Sequence, residues 1–170
     1  RLQGDWSSDV CSSDLRMNKS SRIGVGYGLG ISSQNVSGNM YFDGSDPKYT
    51  EIRTFESNYS YDRNKLSLNY LDAALELRLR TRENEQHHHW KLSLGAKGGW
   101  LMQDHTKFRK GDLKFKSYHL PNLNDFQYGL TARIGYSRVA LCGYYALNGI
   151  FKNGKGPDLI PYSIGISLTP

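Results

Sequence analysis

Apolar residues recur at every second position through most of this chain. In residues 22–31, Ile23, Val25, Tyr27, Leu29 and Ile31 fall on one face and Gly24, Gly26, Gly28 and Gly30 on the other. That is the period of a β-strand, not of a helix. In residues 65–82, Leu66 and Leu68 alternate as far as Tyr70. Then Leu71, Ala73, Leu75, Leu77 and Leu79 take over opposite Asp72, Ala74, Glu76, Arg78 and Arg80. The change of phase predicts a β-bulge near Tyr70 and Leu71. Residues 90–101 and 126–136 alternate in the same way, with Leu92, Leu94 and Ala96 in the first and Tyr128, Leu130, Ala132 and Ile134 in the second. Residues 139–147 and 162–168 complete six predicted strands, and no segment has helical periodicity.

The connections alternate in length. Residues 32–64 and 102–125 are long and 148–161 intermediate, whereas 81–89 is short and Ser137-Arg138 is a tight turn. Short turns at one end and long loops at the other are the pattern of an up-and-down β-barrel in an outer membrane, with the turns on the periplasmic side. The expected fold class is therefore all-β: an antiparallel, up-and-down transmembrane β-barrel.

Alternation alone leaves open a soluble ligand-binding β-barrel with its apolar face inward. Two features favour the inverted, membrane-embedded arrangement. Trp90, Trp100, Phe126, Tyr136, Tyr145 and Tyr162 stand at strand ends, as a lipid-facing aromatic girdle requires. The opposite face is mostly Gly, Ser and Thr with a few charges, unlike a soluble surface rich in Lys and Glu. No apolar run approaches the ~18 residues of a transmembrane helix, which is no objection to a barrel that crosses with strands.

Residues 1–15 stand apart. Asp5 to Leu15 reads DWSSDVCSSDL, without apolar periodicity, and matches residue for residue one frame of a common sequencing-library adapter. The segment is expected to be foreign to the fold and to make no consistent sheet pairing. Residues 16–170 would then be an outer-membrane barrel domain cut at its N-terminal side. The whole chain carries 22 basic and 16 acidic residues, and without the first fifteen the formal charge rises from +6 to +8. The basic residues are spread out, most densely between Lys107 and Lys116. That cluster is expected to be a solvated loop, and nothing resembles a nucleic-acid recognition element. With Cys11 in the foreign segment, Cys142 has no partner for a disulfide.

The stretches LSLNYLDAALELRLR from Leu66, KLSLGAKGGWL from Lys91, NLNDFQYGLTARIGY from Asn122 and FKNGKGPDLIPYSIGISL from Phe151 resemble the PorT-like outer-membrane β-barrel proteins known chiefly from the Bacteroidetes. The resemblance implies eight strands, so that two would precede the cut. It also implies an envelope or secretion-accessory role. The chain departs from the usual terminal aromatic of an outer-membrane strand, ending Leu168, Thr169, Pro170. With two strands missing, the first and last of the six are expected to be strained partners or open edges.

Candidate chemistry is sparse. His87, His88 and His89 are consecutive, so in extended chain they cannot converge on one ion. Asp104 with His105, and His119, could form an acid/base pair only if a rigid element held them together. GKGPD at 154–158 lacks the strand-to-helix context of a phosphate loop and reads as a turn. An enzyme, a cofactor or a metal is accordingly not expected. The informative charges are Asp72, Glu76, Arg78, Lys97 and Arg133, which share the inward face and must be paired or wetted there. Centring the turn at 81–89 aligns Arg80 with Lys91, Arg78 with Ser93, Glu76 with Gly95 and Ala74 with Lys97. Glu76 and Lys97 then become diagonal neighbours and expected partners. A barrel of eight strands is just wide enough for side chains to fill it. The expectation is a lumen plugged by an ion-pair network, a small diffusion pore being the alternative. The expected partners are the lipid bilayer and an extracellular ligand reached through loops 32–64 and 102–125.

Overall fold

The structure, a computed structural model, describes residues 3–16, 23–37, 40–43, 46, 48–54, 63–81, 90–110 and 113–168. Ten strands follow one another: β1 (Gln3–Arg16), β2 (Ile23–Ser37), β3 (Met40–Asp43), β4 (Glu51–Thr54), β5 (Arg63–Arg80), β6 (Trp90–Lys110), β7 (Leu113–Tyr118), β8 (Phe126–Tyr136), β9 (Val139–Ala146) and β10 (Tyr162–Leu168). One curled antiparallel sheet runs β1-β2-β5-β6-β8-β9-β10, with β7 paired to the far end of β6, while β3 and β4 form a separate hairpin. All six strands expected from the alternation are present, and no described residue is helical. The aligned register also holds, Arg80 to Lys91 through Ala74 to Lys97.

The apolar face is the outer one. Leu75, Leu94, Leu130 and Ile164 are 54 to 75% exposed, whereas Glu76 is buried at 8%. A soluble barrel would reverse these, so the inward-apolar alternative is excluded. Across the concave side, the Gln34 side chain of β2 donates to Gln127 of β8, bridging an interior walled by β5 and β6. Ten residues separate Trp90 from Trp100 on the outer face of β6. At ~3.4 Å per residue and a ~40° tilt they span roughly 26 Å, the height of a membrane barrel's apolar band.

Three expectations are corrected. First, β5 has no bulge. Leu66, Leu68, Tyr70, Asp72 and Glu76 are all buried on one continuous inward face, while Leu71, Leu75, Leu77 and Leu79 are exposed on the other. What changes at Tyr70 is the polarity of the faces: above it the apolar side points in, below it the apolar side points out. The register shift lies opposite, where Asn69 pairs Gln103 and Tyr70 pairs Leu101, leaving Met102 as the extra residue of β6. Second, 102–125 is not mainly loop, and in 32–64 the aromatic stretches expected to continue the flanking strands, 39–42 and 49–61, instead contribute β3 and β4 to a separate hairpin. β2, β5 and β6 extend past the membrane band, and β7 folds back on β6 as a hairpin, so the basic cluster from Lys107 to Lys116 is largely ladder.

Third, the first residues do pair. β1 runs along the whole of β2, from Gln3 opposite Ser37 to Arg16 opposite Gly24. The unpaired N–H and C=O groups of β2 accept any extended, proline-free segment, and backbone pairing needs no apolar pattern. β2 is therefore not an edge, but β10 is one among the described residues.

Candidate functional site

The interior is built in three levels. At the turn end, Glu76 accepts from Arg78 Nε at 3.1 Å and lies 3.6 Å from Arg133 Nη2. Above it, Lys97 Nζ donates to Asp72 Oδ2 at 2.9 Å and sits 4.5 Å from the centre of the Tyr144 ring. Gln34 and Gln127, both buried, meet on the same concave side. The glycines that face inward make room for these groups: a Cβ on Gly26 would lie 2.5 Å from Arg78 Cζ, and one on Gly99 would collide with the Asp72 carboxylate.

The expected Glu76–Lys97 pair is thus replaced. Lys97, opposite Ala74, has Asp72 and Glu76 on its two diagonals. Sheet twist makes the diagonals unequal, and Glu76 is already held by two guanidinium groups. Lys97 therefore takes Asp72.

The third level is apolar and closes the loop end. Leu66, Leu68 and Tyr70 of β5 pack with Leu123, Ile150 and Phe151, flanked by Val36, Phe42, Leu101, Leu120 and Leu159. Three loop segments are tied over this cluster. Thr50, fully buried, donates its N–H to Lys155 O at 2.9 Å and its hydroxyl to Pro121 O at 3.0 Å, and it accepts from Asn122 Nδ2 at 3.2 Å. Asn124 Nδ2 donates to Gly149 O and Phe151 O at 2.7 and 2.8 Å. Leu123 forms a β-bridge with Phe151, whose ring lies 5.6 Å from that of Phe42. The result is a packed roof. The local alternation marked only its β5 members, because Leu123, Ile150 and Phe151 lie in segments without periodicity.

The aromatic residues expected in the girdle are all exposed: Trp90 54%, Trp100 66%, Phe126 53%, Tyr136 45%, Tyr145 53% and Tyr162 73%. Trp90 and Tyr136 are register partners at the turn end, with ring centroids 5.1 Å apart. Trp100 and Phe126 are partners at the other end of the same strand pair. The acid/base candidates do not converge. Asp104 is buried and its carboxylate accepts from Leu120 N–H at 2.6 Å, anchoring the roof, while its chain neighbour His105 occupies the opposite face of β6 and His119 is exposed. Gly154, with φ +71°, sits in a turn as expected for GKGPD. His87, His88 and His89 lie outside the described residues.

An outward apolar band bounded by aromatics, around a polar and crowded interior, defines a membrane β-barrel. Residues 11–152 match the family model for the outer membrane protein beta-barrel domain, and the chain belongs to that family. It is accordingly an outer-membrane protein associated with the lipid bilayer. Neither the curated proteins nor the solved structures include a match.

Proposed function

We propose that this chain forms a sealed outer-membrane barrel with a non-enzymatic role in structure, surface binding or secretion support, and that it does not conduct. The observation that carries this is the stacking of two ion-paired levels beneath a hydrogen-bonded apolar roof. In this reading the six exposed aromatics are its lipid-facing girdle, the loop end is extracellular, and Asp72, Glu76, Arg78, Lys97 and Arg133 are its plug. The resemblance to PorT-like barrels supports an envelope or secretion-accessory task over bulk transport. In planar bilayers the protein is expected to show no steady channel. Stable, reproducible openings would overturn the plug and leave a small diffusion pore.

We also infer that residues 1–15 are foreign to the barrel, although the family match begins within them at Cys11. The register sets Asp9 opposite Ile31 and Ser13 opposite Tyr27, positions on the lipid-facing side where a membrane strand carries apolar residues. With Ser7, Asp9 and Ser13 at such positions, the amides of Trp6 to Leu15 are expected to exchange hydrogen at least ~100-fold faster than those of Leu71 to Leu79. Equal protection in detergent would make β1 a genuine strand of the barrel.

A further inference from the structure

The chain contains two Asn-Gly steps, Asn148-Gly149 and Asn153-Gly154, on either side of the roof residues Ile150 and Phe151. Asparagine is thermally labile, and a following glycine presents its backbone nitrogen with no side chain to hinder attack on the amide. The reacting atoms are the same in both steps, but the fold holds them differently.

Asn148 is locked. Its Oδ1 accepts from Tyr128 N–H at 2.9 Å and its Nδ2 donates to Phe126 O at 2.7 Å, so both ends of the amide are fixed to β8. Gly149 is crowded as well, since a Cβ built on it would lie 3.4 Å from Leu159 O and 3.7 Å from Phe151 O. Asn153, by contrast, is exposed, and its side chain makes no hydrogen bond among the described residues. A Cβ on Gly154 would meet nothing within 4 Å. The positive φ of Gly154, +71°, and the 3.0 Å bond from Lys155 N–H to Lys152 O form a turn centred on this second step.

That turn belongs to the roof. Lys152 N–H donates to Asn122 O at 2.8 Å, and Lys155 O accepts from the N–H of the fully buried Thr50 at 2.9 Å. Residues 152–155 therefore strap two other segments together, and the length of the turn sets whether both bonds are made.

We propose that Asn153 is a self-modification site, deamidated by attack of the Gly154 nitrogen, and that its isoaspartyl product loosens the roof. The Gly154 nitrogen gives up its proton and bonds to Asn153 Cγ. The Cγ–Nδ2 bond breaks, and ammonia leaves with that proton. One water then opens the cyclic imide. Cleaving the new Cγ–N bond gives aspartate, whereas cleaving the original peptide bond gives isoaspartate, whose chain runs through Cβ and Cγ. No oxidant or reductant takes part. The extra backbone carbon lengthens the turn between Lys152 and Lys155 and pulls Lys155 O away from Thr50. The inference uses the roof geometry and not the plug, so a conducting barrel would leave it standing.

The test incubates the full chain, refolded in detergent, at neutral and mildly alkaline pH. Peptide mass spectrometry follows both steps, and methylation by an isoaspartyl methyltransferase reads the isoaspartate. Asn153 should convert, faster at higher pH because the attacking nitrogen must lose its proton. Asn148 should react on the order of 30-fold more slowly, since two hydrogen bonds must open before its amide can turn. In urea, with the chain unfolded, the two rates should converge. Hydrogen exchange at Thr50 should accelerate at least ~10-fold in the converted protein, while Leu71 to Leu79 stay unchanged. Asn153→Asp adds the charge without the extra carbon and should keep Thr50 protected. Asn153→Gln should keep it protected through the same incubation. Equal rates at the two steps in the folded chain, or isoaspartate confined to Asn148, would overturn the site. Isoaspartate at Asn153 with Thr50 still protected, or the same loss of protection in Asn153→Asp, would overturn its coupling to the roof.

Discussion

Replacing Lys97 by Met is expected to destabilise the barrel by about 3 to 5 kcal/mol, because it strands the Asp72 carboxylate in an interior where, among the described residues, no other cation is paired with it. The two side chains are only 9% and 4% exposed, and their 2.9 Å bond is the best shielded ion pair among the described residues. The loss comes from the orphaned charge and not from the attraction itself. Asp72→Leu combined with Lys97→Met should therefore recover most of the stability, and it could exceed the parent if packing is good. Glu76→Ala should be milder, about 1 to 2 kcal/mol, since Arg133 is 37% exposed and can be solvated when its partner is lost. Reversible denaturant unfolding in lipid vesicles, followed by tryptophan fluorescence, measures all four proteins. A double variant as unstable as Lys97→Met alone would show that the pair contributes through specific geometry and not through charge balance.

The register that makes this experiment possible was legible in the sequence; the partner was not. The short turn after Arg80 aligned β5 with β6 correctly and brought Lys97 within reach of two carboxylates. Choosing between them depended on sheet twist and on Arg133, which arrives from β8 to meet Glu76 of β5. The true bulge was hidden for a related reason: Trp100, Leu101 and Met102 are all large and apolar, so the flip of faces at Met102 leaves no mark in the alternation. Its visible counterpart, the jump from Tyr70 to Leu71, was the imprint of a change of solvent. The strand extensions of 32–64 and 102–125 are polar on both faces over much of their length, which erases the period-two signal. The roof joins Thr50 to Asn122, 72 positions apart, beyond any local pattern. The fold of residues 1–15 was misjudged because an absence of pattern forbids membrane burial but not backbone pairing.

One strand crossing two solvents predicts opposite penalties from one kind of substitution, and β5 allows both to be measured on the same chain. Leu68 is completely buried in the roof cluster, and Leu75 is 59% exposed on the outer face, opposite Ala96. Ala96 lies near the midpoint between Trp90 and Trp100, and so near the middle of the apolar band. Leu68→Arg places an unpaired charge in a dry apolar cluster and is expected to cost on the order of 4 kcal/mol, in detergent and bilayer alike. Leu75→Arg breaks no protein contact of comparable burial, yet a charge facing lipid at the midplane costs about 2 to 4 kcal/mol. That cost should shrink as the position is moved along the outer face toward the girdle, so Leu79→Arg, next to the turn end, should lose under about 1 kcal/mol. Folding into vesicles of defined thickness, with unfolding free energies for each variant, gives the three values. A depth-dependent penalty on the odd-numbered face below Tyr70, beside a depth-independent one at Leu68, is the signature of an apolar surface that changes sides where the strand leaves the membrane. If Leu75→Arg proves neutral in vesicles, the outer face of β5 does not meet lipid, and the polarity switch at Tyr70 loses its physical cause.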